Sequence, residues 1–213
     1  MNLHQSSDTL RTGVPSASAK SALILIHGRG ASAADIAGLA DYLPKQGLAV
    51  IAPEAREGWW YPQRFFVPLA ENEPWLTSSV ALIEQTVTEL IADGIPAEKI
   101  GVAGFSQGGC LALEYAVRHP RRYGLVAGLS GALIGPAGIP RATADLQGTP
   151  VLVACAESDP HIPLPFVRDS VTLMKGFKGE VTEQIHRGSD HTVFAEEIEW
   201  LKERINGWNA VAV

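Results

Sequence analysis

Short apolar runs alternate with segments of helical periodicity along most of the chain, and this alternation limits the folds open to it. The apolar runs of strand length occupy residues 21–26, 48–52, 99–103, 124–130, 150–156 and 181–186. The helical segments occupy residues 32–43, 75–92, 107–118, 164–175 and 193–206. Strands that alternate with helices favour a mainly parallel sheet covered on both faces. We therefore predict a single α/β domain over residues 1–213, in which residues 1–20 form an N-terminal strand or extension.

Composition and charge exclude several classes of partner. The chain has 213 residues, of which 46% are hydrophobic and 19% charged, which is enough for one well-buried core. Its formal net charge of −6 argues against a nucleic-acid surface and against attraction to anionic lipid. The apolar run at residues 22–26 is too short to span a bilayer, and residues 1–20 lack the pattern of a signal peptide. We expect no nucleic-acid partner and no stable membrane insertion.

The two cysteines, Cys110 and Cys155, both lie inside apolar segments. Nothing in the pattern calls for a disulfide, which needs specific geometry and an oxidising compartment. Free buried thiols are therefore expected, and with them a cytoplasmic protein.

Residues 53–74 do not fit the alternation, because they contain the aromatic run WWYPQRFF at 59–66 and no clear period. An irregular connection of this length is uncommon in a compact domain and is often functional. We predict that this segment lies near the site and that aromatic and apolar side chains line a substrate pocket there; the alternative is that they only cover the core. The predicted lining residues are Trp59, Trp60, Tyr61, Phe65, Phe66 and Trp75, together with Leu133 and Ile134 from the 131–140 loop.

The junction between the third apolar run and the third helical segment carries a single serine between two glycines. Residues 104–108, GFSQG, match the pattern G-x-S-x-G of a nucleophile elbow. A serine on such a corner has a sparsely allowed backbone conformation, and bulkier residues than glycine two positions away would collide with the strand and the helix. The pattern predicts Ser106 as a nucleophile whose hydroxyl is exposed at the positive end of a helix. A tight structural turn is the competing interpretation.

A serine nucleophile needs a base, and the base needs an acid that orients it. His191 follows the sixth apolar run and precedes the last helix, which favours it as the base over His4, His119, His161 and His186. Asp159 follows the fifth apolar run and is the leading acid, with Glu157 and Asp190 as alternatives. Because the carboxyl ends of parallel strands meet at one edge of a sheet, we expect these groups to lie near Ser106.

An oxyanion hole would complete such a site. The backbone N–H of Gln107, directly after the serine, is one expected donor, and the backbone N–H of Arg29, in the turn after the first apolar run, is the other. His27 is interpreted as a residue that stabilises this turn.

No metal or cofactor is expected. His186 and His191 lack further ligands at a spacing that would close a metal site. Residues 28–30, GRG, lack the third glycine of a dinucleotide loop and the lysine of a phosphate loop.

With these residues in hand, the chain resembles the phospholipase/carboxylesterase family of small α/β-hydrolases, which includes acyl-protein thioesterase-like enzymes and bacterial carboxylesterases. The resemblance rests on residues 25–30 (LIHGRG), 104–109 (GFSQGG), 159–163 (DPHIP) and 189–191 (SDH), in the order and spacing of the family. It implies an α/β-hydrolase fold, a triad of Ser106, Asp159 and His191, and hydrolysis of esters or thioesters without a cofactor. Many members form dimers, so a homodimer is a further expectation.

Two positions depart from the family pattern. Eukaryotic members often carry Leu and then Gly-Asp after the His-Gly turn, where this chain has Arg29-Gly30-Ala31, and Asp190 replaces the usual glycine before the histidine. Because Arg29 would act through its backbone, the departure affects substrate choice: its side chain could meet an anionic group or point to solvent.

The expected function is that of a serine carboxylesterase for small-molecule substrates, namely short- to medium-chain or aromatic esters. The alternatives are an acyl-thioesterase or lysophospholipase on the same triad, another hydrolase such as a peptidase or lactonase, and a non-catalytic protein that only binds a ligand.

Overall fold

The computed structural model describes residues 3–4 and 9–209; residues 1–2 and 5–8 of the predicted N-terminal extension and the final residues 210–213 lie outside the described part. The strands are β1 (Leu10–Gly13), β2 (Ser21–Ile26), β3 (Leu48–Ala52), β4 (Ile100–Phe105), β5 (Leu125–Leu129), β6 (Pro150–Ala156) and β7 (Glu180–His186). The α-helices are α1 (Ala33–Ala37), α2 (Trp75–Ala92), α3 (Gln107–Arg118), α4 (Leu164–Gly176) and α5 (Ala195–Asn209). Among the described residues, no helix is long and apolar enough to cross a membrane.

The strands form one seven-stranded sheet in the order β1-β3-β2-β4-β5-β6-β7. β1 pairs antiparallel with β3, and every other pair is parallel. The α/β class and the mainly parallel sheet predicted from the alternation are therefore confirmed. β4 lies between β2 and β5, so the residue that follows β4 stands at the carboxyl edge of the sheet, in its central part.

Both faces of the sheet are covered, and β2 shows how the sequence divides between them. Ala22, Ile24 and Ile26 belong to a cluster that includes side chains of α2, α3 and α4. Leu23 and Leu25 belong to a second cluster, with side chains of α1 and α5. Alternate residues of a strand point to opposite faces, so a continuous apolar run is what a strand covered on both sides requires. Each fully buried Leu or Ile contributes about 2 kcal/mol to this core.

The helix predicted for residues 32–43 is shorter than expected as an α-helix. Its start is confirmed, because the Ser32 hydroxyl accepts from the Asp35 N–H while the Asp35 carboxylate accepts from the Ser32 N–H. The α-helical part ends at Ala37, and residues 38–42 continue as a 3₁₀ turn that begins at a glycine, a weak helix former.

Residues 53–74 contain two short 3₁₀ turns, at 56–58 and 69–72, and neither an α-helix nor a β-strand. Trp60 and Tyr61, in the middle of the aromatic run, are nonetheless fully buried. The segment is thus irregular in backbone but fixed by its side chains, and it connects β3 to α2 over the carboxyl edge of the sheet.

Candidate active site

Ser106 stands between β4 and α3 in a strained backbone conformation, with φ of 55° and ψ of −117°. Such a conformation costs a non-glycine residue about 1–3 kcal/mol and persists only where its surroundings hold it. A Cβ on Gly104 would lie 2.3 Å from the carbonyl carbon of Gly108, and a Cβ on Gly108 would lie 2.1 Å from the carbonyl oxygen of Ile26. The two glycines therefore allow β4, α3 and the end of β2 to approach closely around the serine.

The imidazole of His191 bridges Ser106 and Asp159. Its Nε2 lies 2.8 Å from the Ser106 Oγ, and its Nδ1 lies 2.8 Å from the Asp159 Oδ2. A carboxylate can only accept, so Nδ1 carries the proton toward Asp159 and Nε2 is left to accept the serine O–H. The three side chains that the sequence predicted to lie together are thus in hydrogen-bond contact.

The carboxylate of Asp159 is buried and held from two sides. Its Oδ1 accepts from the backbone N–H groups of His161 at 2.8 Å and Ile162 at 3.0 Å, while Oδ2 faces His191. Of the three candidate acids it is the one that contacts the imidazole, and Glu157 and Asp190 are exposed. The turn after β6 therefore fixes the carboxylate in the direction of the histidine.

The loop that carries His191 is tied to neighbouring strand ends. The Ser130 hydroxyl, at the end of β5, donates to the Thr192 carbonyl at 3.1 Å, and the Ser158 N–H donates to the Gly188 carbonyl at 3.0 Å. The rings of Phe105 and His161 lie 4.9 and 4.7 Å from the His191 ring, centroid to centroid. These contacts limit the rotation of the imidazole.

Two backbone N–H groups are available near the serine hydroxyl. Gln107 is the first residue of α3, so its N–H has no partner inside the helix. Arg29 stands in a turn in which the Ala31 N–H donates to the Gly28 carbonyl at 3.2 Å. Among the residues that the structure describes, neither N–H has an acceptor, and both residues line the same cavity as Ser106.

His27 holds the turn that carries Arg29, as the sequence suggested. It is fully buried; its Nδ1 donates to the Gly28 carbonyl at 2.7 Å, and its Nε2 accepts from the Ala55 N–H at 3.1 Å. Burial lowers the pKa of this imidazole, which keeps it neutral. The Trp60 indole N–H donates to the His27 carbonyl at 2.8 Å and joins the turn to the irregular segment.

The side chains of Arg29 and Gln107 hold the irregular segment in place. The Arg29 Nη2 donates to the carbonyls of Tyr61 at 2.6 Å, Pro62 at 3.1 Å and Gln63 at 2.9 Å. The Gln107 amide accepts from the Trp60 N–H at 2.9 Å and donates to the Tyr61 carbonyl at 2.8 Å. Burial lowers the pKa of Arg29, but a guanidinium remains charged at neutral pH.

A half-open cavity of about 420 Å³ stands over Ser106. Of the eight residues predicted to line a substrate pocket, Tyr61 and Phe65 do so. The whole lining consists of Gly28, Arg29, Ala31, Tyr61, Gln63, Arg64, Phe65, Phe105, Ser106, Gln107, Cys110, His161, Ile162 and His191.

The other six predicted residues lie outside this lining for reasons of packing. The Trp60 indole is buried beside His27, and Trp59 packs on Trp75 with ring centroids 4.5 Å apart. Phe66 stacks on Phe166 at 5.6 Å. Leu133 and Ile134 are buried in the core cluster formed with α2, α3 and α4. The alternative interpretation, in which these side chains cover the core and do not line a pocket, therefore describes the position of these six residues.

Sequence reasoning missed several lining residues. Phe105 is the first variable position of the G-x-S-x-G pattern, and His161 and Ile162 lie two and three residues after Asp159. Gln63 and Arg64 belong to the irregular segment, where attention to aromatic residues passed over them. Phe105, His161 and Ile162 could have been predicted, because they lie close in sequence to the predicted nucleophile and acid.

In the described ranges, no three His, Cys, Asp or Glu side chains are grouped so that they could hold a metal ion.

Comparisons with known proteins identify the family of the chain. A family model described as Phospholipase/Carboxylesterase matches residues 8–209. The crystal structure of a phospholipase/carboxylesterase from Dyadobacter fermentans superposes with a TM-score of 0.89 at 38% identity, covering 97% of this chain and 99% of that one. Acyl-protein thioesterase 1 of Saccharomyces cerevisiae is 28% identical over 222 residues, covering 90% of this chain and 94% of that protein.

A similar match, also 28% identical, to acyl-protein thioesterase 1 of Gibberella zeae covers 71% of this chain and 58% of that protein, so the chain spans less than two thirds of its length. The resemblance inferred from the four motifs is confirmed by the family model, which matches nearly the whole chain. From these matches, the chain belongs to the phospholipase/carboxylesterase family and is a serine hydrolase with an α/β-hydrolase fold.

Proposed function

We propose that the protein hydrolyses short- to medium-chain or aromatic carboxylic esters through an acyl-enzyme formed on Ser106. The observation that carries the proposal is the pair of 2.8 Å contacts that join Ser106 to His191 and His191 to Asp159. A nucleophile, a base and an orienting acid in this relation are what acyl transfer at neutral pH requires.

The mechanism assigns one role to each group. Nε2 of His191 takes the proton of the Ser106 hydroxyl as the oxygen attacks the ester carbonyl, and the Asp159 carboxylate stabilises the imidazolium that forms. The N–H groups of Arg29 and Gln107 donate to the oxyanion of the tetrahedral intermediate. The imidazolium then protonates the departing alcohol, and a water activated by the same histidine releases the acid.

The cavity supports small substrates. Its volume of about 420 Å³ lies in the lower part of the range of ligand pockets, which is roughly 300–1,000 Å³. Phe65, Phe105 and Ile162 supply apolar wall beside the serine. A short acyl chain or an aromatic alcohol could be buried there.

Thioester hydrolysis is a second candidate, and the similarity to proteins named acyl-protein thioesterase favours it. The same serine, base and oxyanion donors would act on either carbonyl. Comparison of matched oxygen esters and thioesters of one acyl chain decides between them, and a strong preference for long acyl thioesters or lysophospholipids would contradict the small-ester proposal.

The first test is labelling with a serine-directed fluorophosphonate, read by intact mass. Wild type should take up one adduct, Ser106→Ala should take up none, and His191→Ala should react far more slowly, because the hydroxyl loses its base. Turnover of a phenyl ester should fall by about 10⁴ or more in the serine variant.

Ser158→Ala is the matched control. Ser158 is an exposed serine next to Asp159, and its contact to the His191 loop is made by its backbone, so the adduct should persist in this variant. Absence of an adduct on folded wild type, or an adduct that survives in Ser106→Ala, would contradict the proposal.

A further inference from the structure

Two arginines lie on the wall of the active-site cavity, and no carboxylate of the described residues does. Arg29 and Arg64 are among the described lining residues, and none of these residues is Asp or Glu. The chain as a whole is acidic, with 23 Asp and Glu against 17 Lys and Arg. The cavity wall therefore carries the opposite sign of charge from the whole protein.

The acid of the site does not neutralise this wall. The Asp159 side chain is fully buried behind His191 and accepts from the imidazole and from two backbone N–H groups. Its oxygens thus have donors within the protein, and the side chain is not exposed to a ligand that enters over Ser106.

The guanidinium of Arg64 has no carboxylate partner among the described residues. The side chain is exposed, and its guanidinium carbon lies 5.7 Å from the centre of the Phe66 ring, in a cation–π contact. Within the described ranges, no carboxylate oxygen lies within 4.0 Å of its nitrogens. The five N–H donors of this group are available for an anion.

The backbone that carries Arg64 is fixed by a buried side chain. Asn72 is fully buried; its Oδ1 accepts from the Gln63 N–H at 2.8 Å, and its Nδ2 donates to the Arg64 carbonyl at 3.2 Å. An arginine on a fixed backbone, with its guanidinium resting on an aromatic ring, loses less freedom on binding than a mobile surface arginine.

Arg29 is fixed in a different way and still has donors to spare. Each hydrogen bond that it makes from its side chain to the described residues comes from Nη2. Nε and Nη1 are left without a described acceptor, on a side chain that is exposed at the cavity wall. The three loop carbonyls therefore anchor the guanidinium without using all of its donors.

We propose that the preferred substrates are esters that carry a carboxylate, which Arg64 binds with Arg29 as a second cation. The proposal rests on the proposed esterase function and adds the chemical class of its substrate. Planar guanidinium groups pair with carboxylates through two parallel hydrogen bonds, which gives orientation as well as attraction. The carboxylate would belong to the acid or to the alcohol of the ester, and the test has an arm for each.

The test compares esters that differ only by a carboxylate or a neutral carboxamide. For the alcohol side the pair is 4-carboxyphenyl and 4-carbamoylphenyl butyrate; for the acid side it is the monophenyl ester of adipic acid and the phenyl ester of its monoamide. The measured quantity is kcat/KM of the carboxylate ester divided by that of its carboxamide partner. Intrinsic reactivity cancels when this ratio is compared between variants.

In wild type we expect a ratio of about ten for at least one pair, decreasing as salt is raised because the charges are solvent-accessible. Arg64→Gln should lower the ratio severalfold from its wild-type value, and Arg64→Lys should keep more of the preference than Arg64→Gln does. Arg56→Gln is the matched control: Arg56 is an exposed arginine of the same irregular segment that does not line the cavity, so the wild-type ratio should be retained.

The outcomes separate the two proposals. Hydrolysis of both members of each pair, with ratios that are the same in wild type and in Arg64→Gln, would overturn the carboxylate preference and leave the esterase function intact. An equal loss of the ratio in Arg56→Gln would also overturn it, because the effect would then come from net charge and not from the cavity wall. Failure of wild type to hydrolyse any of the four esters would contradict the esterase function itself.

Discussion

At the scale of single residues, Arg29 and Gln107 each offer two different groups to the site. Their backbone N–H groups, which have no acceptor among the described residues, are the proposed oxyanion donors, while their side chains bind the backbone of residues 60–63. A substitution that spares the backbone N–H can therefore still disturb the site, because it releases the segment that forms one wall of the cavity.

Gln107→Ala tests this coupling. The change leaves the Trp60 N–H and one bond of the Tyr61 carbonyl unpaired in a buried place, which costs about 1–3 kcal/mol. We expect a lower midpoint in urea unfolding and a reduced kcat/KM, although the backbone donor remains. Gln63→Ala, at an exposed side chain in the same segment, should leave the midpoint nearly unchanged. Wild-type stability in Gln107→Ala would show that the amide contributes nothing to holding the segment.

At the scale of elements, the connection from β7 to α5 carries His191 and is flanked by three side chains that pack together, those of His186, Phe194 and Glu197. The His186 ring stacks on Phe194 with centroids 3.9 Å apart, and the His186 Nε2 lies 3.3 Å from the Glu197 Oε1. Glu197 is fully buried, and its other oxygen accepts from the Phe194 N–H at 3.2 Å. Burial raises the pKa of Glu197 to about 8, so the pair is mostly neutral near pH 7.

This buried acid makes stability depend on pH. Between its ordinary pKa of 4.5 and the folded value of about 8, the folded chain binds more protons at Glu197 than the unfolded chain does. Its contribution therefore becomes less favourable as pH rises through this range, and the loss is complete above pH 8 or so. His186 has the opposite dependence, since burial lowers its pKa, but it is present in both proteins of the comparison below.

Glu197→Gln mimics the protonated acid. Its Tm should exceed that of wild type by about 10 °C at pH 9 and by little at pH 5. Glu199→Gln is the control, because Glu199 is an exposed carboxylate of the same helix that pairs with Lys202, and it should give no gain that grows with pH. A constant difference between Glu197→Gln and wild type at both pH values would show that Glu197 does not titrate in this way.

The elements show what the sequence could and could not predict. The period of apolar residues predicted all five helices and six of the strands, with errors of a few residues at the ends; Lys99, for example, lies in a 3₁₀ turn and not in β4. The exposed strand β1 has no apolar period that could mark it. The order of the strands in the sheet could not be predicted either. An apolar run indicates that a strand is buried, but it does not indicate which strands lie beside it.

The same limit applies to the site. The sequence could predict that Ser106, His191 and Asp159 lie close together, because each follows a predicted strand and a motif identifies the serine. The wall of the cavity could not, since the direction of the Trp60 ring depends on its bond to the His27 carbonyl, a contact between segments 33 residues apart.

At the scale of the whole molecule, the cavity lies where the strand order reverses. From β2 the chain moves to one side to form β3, and it then returns past β2 to form β4 and continues to the other side. Ligands bind outside the carboxyl ends of parallel strands at such a switch point. The turn with Arg29 follows β2 and Ser106 follows β4, so the two flank this point.

The opposite end of the sheet, at the amino ends of β4 and β5, contributes to stability and lies away from the candidate active site. A Cβ on Gly124 would lie 2.6 Å from the Trp208 ring, and a Cβ on Gly101 would lie 2.9 Å from it, so the indole of α5 fills a hollow that these glycines leave. Gly101 and Ser106 are five residues apart along β4, which is about 16 Å in an extended strand.

Trp208→Ala should therefore lower the free energy of unfolding by about 2 kcal/mol, since it opens a cavity in a half-buried place. The ratio of rates on carboxylate and carboxamide esters should stay as in wild type. Tyr42→Ala removes a large side chain that is 65% exposed and should change stability by no more than about 0.5 kcal/mol. A changed ester ratio in Trp208→Ala would indicate coupling between the two ends of the sheet.

The way in which residues 60–64 are held has a consequence for diversification. Their main chain is fixed by side chains from elsewhere in the chain, those of Arg29, Gln107 and Asn72, and by the buried side chains of Trp60 and Tyr61. The exposed side chains of Gln63 and Arg64 lie outside this frame. The side chains of Gln63 and Arg64 can therefore be exchanged, by mutation in nature or by design in the laboratory, while the frame keeps its shape. We therefore expect single substitutions at these two exposed positions to change the substrate preference without remodelling the backbone.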